Sequence, residues 1–167
     1  MGTIDSMVKI KDKLISVEMA ASIAKEYRDS GKKVVFTNGC FDILHVGHVT
    51  YLQEAKAQGD ILIVGVNADL SVTKLKGDNR PINPLEDRMY VLAGLMSTNY
   101  IISFEEETPI QLIEAIHPDV LIKGGDYTIE EIVGADVVQA NGGVVKVIDF
   151  VEGKSTSKII SKMKEES

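Results

Sequence analysis

The sequence predicts an α/β protein built on a doubly wound, Rossmann-like parallel sheet. Three observations carry this. Short β-branched apolar runs recur along the chain: Val34-Val35-Phe36, Ile61-Leu62-Ile63-Val64-Gly65-Val66 and Val120-Leu121-Ile122. The second run is continuously apolar, as a strand covered on both faces must be. Between the runs lie segments with apolar residues at helical spacing, and that alternation builds a parallel sheet with helices on its faces.

Residues 1–16 are expected to be a weakly packed lead-in, and 17–167 a single domain. Val17 to Ser30 places Val17, Ala20, Ala21, Ala24 and Tyr27 on one helical face and stops at Gly31. Val34 to Thr37 reads as the first strand, and Gly47 to Gln58 as a helix ended by Gly59. Ser71 to Asn83 is polar and reads as a loop. Pro84 to Ser97 reads as a helix with proline in its first turn. Tyr100 to Ser103 is a short strand, and Thr108 to Ile116 a helix capped by Thr108. Val120 to Ile122 is a strand, Val133 to Ala140 a helix ended by Gly142-Gly143, and Val144 to Ile148 a strand. Ser155 or Thr156 caps a last helix that runs through Lys164.

Bulk properties narrow the class. A chain of 167 residues suits one domain with a good-sized core. A net charge of −7 argues against a general nucleic-acid binder. The single cysteine excludes an internal disulfide and suits a reducing, cytoplasmic compartment. There is no apolar run of roughly 18 residues, so no membrane span is expected. Met1 to Lys13 lacks the apolar core of a signal peptide.

The most informative stretch is Thr37-Asn38-Gly39-Cys40-Phe41-Asp42-Ile43-Leu44-His45-Val46-Gly47-His48. It joins the end of the first strand to the start of a helix, which is where open α/β sheets bind ligands. A helix start there offers free N–H groups and the positive dipole end, both suited to phosphate. His45 and His48 fall on its first turn, as donors toward phosphate oxygens when charge builds during displacement. Gly47 removes a side chain where backbone would approach a ligand. A His-x-x-His spacing also arises as a metal pair or as two surface residues. The pair here is two of only three histidines, at a strand-to-helix junction, and the functional reading is preferred.

Phe41-Asp42-Ile43-Leu44-His45-Val46-Gly47-His48 resembles the signature of the cytidylyltransferase-like nucleotidyltransferases, whose core is His-x-Gly-His. A narrower resemblance runs over roughly residues 30–163. Thr37 to Asp42, Leu75-Lys76-Gly77-Asp78, Arg80-Pro81-Ile82-Asn83-Pro84, Ser103-Phe104-Glu105-Glu106, Lys123-Gly124-Gly125-Asp126-Tyr127 and Ser155-Thr156-Ser157 follow the order seen in bacterial heptose 1-phosphate adenylyltransferases. That family makes ADP-heptose, often as the C-terminal half of a bifunctional heptose kinase/adenylyltransferase. The resemblance implies ATP and a heptose 1-phosphate as substrates, Mg²⁺ on the triphosphate and no nucleic-acid partner. It also implies a separate kinase supplying the sugar phosphate, since no kinase domain fits beside this fold. A homo-oligomer, a dimer, is the expected assembly.

Candidate site residues follow from both lines. Catalytic candidates are His45, His48, Lys74 and Lys76. The two lysines belong to a set of cations on ligand-side loops, with Arg80, Lys123 and Lys154, and the resemblance supports them as triphosphate ligands. The nucleotide-binding set is Thr37, Asn38, Gly39, Cys40, Phe41 and Gly47, then Lys123, Gly124 and Asp126, then Ser155, Thr156 and Ser157, with Arg88. Arg88 has a second reading as a structural partner of Glu86 or Asp87. Asp42 is open between a metal or imidazole-orienting role and an Asx turn. Cys40 has no base beside it to make it a nucleophile and reads as a small residue packing the strand end. Other readings stay open: a cytidylyltransferase acting on glycerol 3-phosphate, a non-catalytic nucleotide-binding module, or a His-x-x-His metalloenzyme lacking further ligands at usual spacing.

Overall fold

In a computed structural model, described for residues 9–149, 151 and 153–165, five parallel strands form one sheet. The strands are β1 (Val34–Gly39), β2 (Ile61–Asn67), β3 (Tyr100–Phe104), β4 (Val120–Gly124) and β5 (Val144–Ile148). Their spatial order is β3-β2-β1-β4-β5. The order reverses between β1 and β4, and ligands of such sheets sit beyond the strand C-termini at that point.

The helices are α1 (Val17–Asp29), α2 (Val46–Lys56), α3 (Asp69–Lys76), α4 (Leu85–Ala93), α5 (Ile110–Ile116), α6 (Ala135–Ala140) and α7 (Thr156–Glu165). Alternation along each strand sends side chains to two cores. Val34, Phe36, Ile61, Ile63 and Leu121 meet α1, α5 and α6 through Ala20, Ala24, Ile113, Ile116 and Val138. Val35, Leu62, Val64, Val66 and Ile122 meet α2 and α4 through Leu52, Ala55, Leu92 and Ala93. Burial on both faces is why β2 reads as one apolar run.

Several expectations are corrected. The lead-in is packed where it is described: Ile15 is buried, Leu14 pairs with Ile101, and the Ile15 amide donates to the Ile101 carbonyl at 3.1 Å. It thereby covers the β3 edge; residues 1–8 lie outside the described residues. The polar stretch taken as a loop contains α3, because Ser71 and Val72 are buried and the Thr73 hydroxyl donates back to the Asp69 carbonyl. A period read from apolar residues alone misses so short a helix. Helix α4 ends at Ala93, with Gly94 as its C-cap, instead of Ser97, and Thr108 does not cap α5, whose N-cap is Pro109. Helix α6 starts two residues later than expected, after Gly134 at φ 83°.

Candidate active site

One cavity of about 610 Å³ opens over the C-terminal ends of β1 and β4. Its wall includes Asn38 to Asp42, His45, Gly47, His48, Lys76, Arg80, Lys123, Gly124, Lys154 and Ser155 to Ser157. Segments distant in sequence thus meet at the switch point of the sheet.

The loop after β1 is shaped by two glycines. Phe41 adopts φ 47°, and its ring folds back over Gly39, where an added Cβ would sit 2.9 Å from the ring. The Phe41 ring meets His48 edge-on, at 5.4 Å between centroids. His45 is the N-cap of α2, and its Nδ1 accepts the Gly47 amide at 3.1 Å. The ring lies so close over Gly47 that a Cβ there would be 2.9 Å from it. Gly47 therefore makes room first for the His45 imidazole, a more local role than contact with a ligand.

An imidazole accepting at Nδ1 carries its proton on Nε2, leaving that N–H as a donor. The His45 and His48 rings stack at 3.9 Å. Nδ1 of His48 is buried and has no hydrogen-bond partner among the described residues, the only such side-chain atom there. Burial, and then the neighbouring His45, push His48 from an ordinary 6.5 down to about 4. Burial and the nearby Lys154 lower His45 as well. At neutral pH the pair is neutral.

The helix start offers less bare backbone than expected. The Gly47 amide is taken by His45 Nδ1, and the His48 amide donates to the His45 carbonyl at 3.0 Å. Phosphate would meet the imidazoles, the cations and the dipole of α2. Lys123 is half-buried, with its pKa lowered by burial and further by the Lys76 charge.

At α7 the Ser155 hydroxyl accepts the Lys158 amide at 3.2 Å, a helix cap, and the Thr156 hydroxyl donates to the Ile43 carbonyl at 3.0 Å. The second bond ties α7 to the histidine loop. Ser157 also lines the cavity.

Other expected residues lie elsewhere. Thr37 is fully buried and its hydroxyl bonds Tyr51 Oη at 2.6 Å and the Ile122 carbonyl at 3.0 Å. It braces β1 against β4 and α2. Arg88 is only 2% exposed and donates to the carbonyls of Cys40 (2.6 Å) and Asn83 (3.0 Å) and to Asp69 Oδ1 (2.7 Å). It is an internal clamp, and its carboxylate partner is Asp69 where Glu86 or Asp87 was expected. Lys74 is exposed and pairs with Glu107 at 3.4 Å, outside the cavity wall. Asp126 is exposed and also outside that wall.

Asp42 is committed to the 80–83 segment. Its carboxylate accepts from the amides of Ile82 (2.8 Å) and Asn83 (2.9 Å) and from Arg80 Nε (2.6 Å). Burial raises its pKa, but the two amides and the guanidinium outweigh burial and hold the carboxyl below the ordinary range. That is a structural anchor; it does not present a metal ligand. Among the described residues no three His, Cys, Asp or Glu side chains gather to hold a metal. Cys40 is a half-buried free thiol whose pKa is raised by burial.

Arg80 and Lys154, read from the sequence as ligand-side cations, do line the wall, whereas sequence reasoning missed Tyr51 and Asn67. Tyr51 is a core-facing helix position, and nothing local marks it.

The depressed His48 makes a stability prediction. The unfolded chain takes up this proton near pH 6.5 while the native state resists it down to about 4. Stability is therefore full above pH 6.5 and falls as pH drops through that window. Urea denaturation at pH 7.5 and pH 5 should show a loss of about 1–2 kcal/mol attributable to this residue. His48→Gln should flatten that difference; an unchanged slope would assign the acid sensitivity to another group.

The fold and the site together define a nucleotidyltransferase. The family model for cytidylyltransferase-like proteins matches residues 36–163, and the chain belongs to that family. Its curated relatives include the bifunctional protein HldE of Wolinella succinogenes, 56% identical over 153 residues, covering 92% of this chain and 31% of the relative. The HldE of Nitratiruptor sp. is 57% identical over 142 residues, covering 85% and 30%. The chain thus spans about a third of the length of the curated relatives it matches. A solved lipopolysaccharide core biosynthesis protein from Thermoplasma volcanium is 28% identical with TM-score 0.59, covering 74% of this chain and 100% of its own. A pantoate–β-alanine ligase from Francisella tularensis shares the fold, at 15% identity and TM-score 0.56, covering 86% of this chain and 68% of its own. No helix among the described residues is long and apolar enough to cross a membrane.

Proposed function

We propose that the chain transfers the adenylyl group of ATP to a heptose 1-phosphate, giving ADP-heptose and pyrophosphate. The observation that carries this is the stacked, neutral His45–His48 pair in one cavity with Lys76, Lys123 and Lys154. The heptose-enzyme motifs named above and the identity of 56% to an HldE protein support the choice of substrates.

The acceptor brings its own nucleophile, a phosphate oxygen ionised at neutral pH. No general base is required, and the neutral histidines suit that economy. The oxygen attacks the α-phosphorus in line, and pyrophosphate leaves. His45 and His48 donate hydrogen bonds as charge grows on the transferring group. Lys76, Lys123 and Lys154 neutralise the triphosphate, with Ser157 and the start of α7 toward the leaving group. Magnesium entering with ATP would supply further charge neutralisation. Lys74 is a candidate phosphate ligand once it leaves Glu107. The sugar 1-phosphate comes from a separate kinase activity, and a dimer is the proposed assembly.

The test is pyrophosphate release from ATP, CTP, GTP and UTP against a panel of sugar 1-phosphates and glycerol 3-phosphate, with and without Mg²⁺. ATP with heptose 1-phosphate should be the preferred pair. A preference for CTP with glycerol 3-phosphate would overturn the substrate assignment and keep the chemistry. No release with any pair would leave a binding module.

A further inference from the structure

The cavity wall carries an acidic side chain that phosphate chemistry does not account for. Three carboxylates line it: Asp42, Glu107 and Glu131. Asp42 is neutralised by Arg80 and two amides. Oε2 of Glu131 accepts the Thr128 amide at 2.9 Å and the Thr128 hydroxyl at 3.0 Å, capping a short helical turn. Glu107 has neither kind of anchor. Its one partner among the described residues is Lys74 at 3.4 Å, and both side chains are largely exposed, at 77% and 68%. An exposed pair of this sort is weak and readily exchanged.

The reaction geometry gives Glu107 a side of the cavity. In-line transfer puts nucleophile and leaving group on opposite sides of the α-phosphorus. The start of α7, proposed above for the leaving pyrophosphate, follows β5, and its neighbour Lys154 lies against the His45–Gly47 turn. The acceptor then enters from the other side of β1, where β2 and β3 lie. Lys74, the partner of Glu107, lies on the helix after β2, and Glu107 follows β3. A lysine beside a carboxylate suits an acceptor that is a phosphate at one end and hydroxyl-rich at the other. The carboxylate is acceptor-only and bonds neutral hydroxyls without opposing their charge.

Resting on the function proposed above, we propose that Glu107 is a specificity-determining residue that accepts hydrogen bonds from hydroxyl groups of the acceptor sugar. Lys74 occupies it before substrate binds and leaves it for the incoming phosphate.

The test is steady-state kinetics of Glu107→Ala and Glu107→Gln with ATP and the sugar 1-phosphate that wild type turns over. Glu107→Ala should raise KM for the sugar phosphate roughly 10- to 100-fold, the usual worth of hydrogen bonds to a charged group. KM for ATP should stay level or fall, because Lys74 is released. Glu107→Gln, which keeps an acceptor oxygen, should lie between. The penalty should vanish with the monodeoxy sugar phosphate that lacks the hydroxyl being read, and the melting temperature should not move. An unchanged sugar KM, or a parallel rise in both KM values, overturns the assignment. If wild type turns over no sugar 1-phosphate, the proposed function fails and this inference falls with it. If wild type is active and Glu107→Ala keeps its sugar KM, this inference alone fails.

Discussion

His48→Ala is expected to lower kcat by about 10²- to 10³-fold, with a much smaller loss of ATP affinity. His45→Ala should behave alike. The pair is neutral and stacked, and Nδ1 of His48 has no protein partner among the described residues. Neutral donors gain most where charge is still developing, which is the transition state. Lys76→Ala should instead weaken ATP binding and turnover together, because an ammonium meets charge already present on ATP. The comparison needs ATP affinity and kcat measured on variants shown to be folded. Full activity in the His48 variant would remove the central claim. Equal losses of affinity and rate in all three would leave a binding site whose histidines have no special transition-state role.

Arg88→Met is expected to destabilise the fold by about 3 kcal/mol or more. The guanidinium is almost wholly buried and serves the Cys40 and Asn83 carbonyls and Asp69 at once. Removing it strands the Cys40 and Asn83 carbonyls, while the half-exposed Asp69 carboxylate can turn to water. Arg88→Lys should rescue little, since one ammonium cannot span three acceptors held by a planar fork. Urea denaturation reads the loss. A change below about 1 kcal/mol would show that the clamp is dispensable. Because Arg88 holds the loop that carries Phe41 and the histidines, kcat should fall in whatever fraction stays folded.

The strand runs and their helical spacers were legible because burial on both faces of a parallel sheet leaves a continuous apolar record. The His-x-Gly-His turn was legible because a strand-to-helix junction with two imidazoles has few purposes. The roles of polar residues were less so. Thr37, Arg88 and Asp42 sit in or near the motifs, yet each is spent inside the protein: on Tyr51, on backbone carbonyls, and on the 80–83 segment. A motif records which residues a site needs and does not distinguish those that touch a ligand from those that hold the loop in place.

The sequence by itself determined the fold class, the strand from which the site begins and the chemistry its histidines and lysines favour, since all three follow from local pattern. The tertiary structure alone decided which cations share the cavity, that His45 folds over Gly47 to stack on His48, and that Lys74 rests on Glu107. The cation grouping and the Lys74–Glu107 pair depend on contacts between distant segments (|i−j| = 33 for that pair), while the histidine stack is a local contact whose geometry the pattern of residue types does not specify. The distant contacts are set by sheet order and packing, and no window of sequence encodes them on its own.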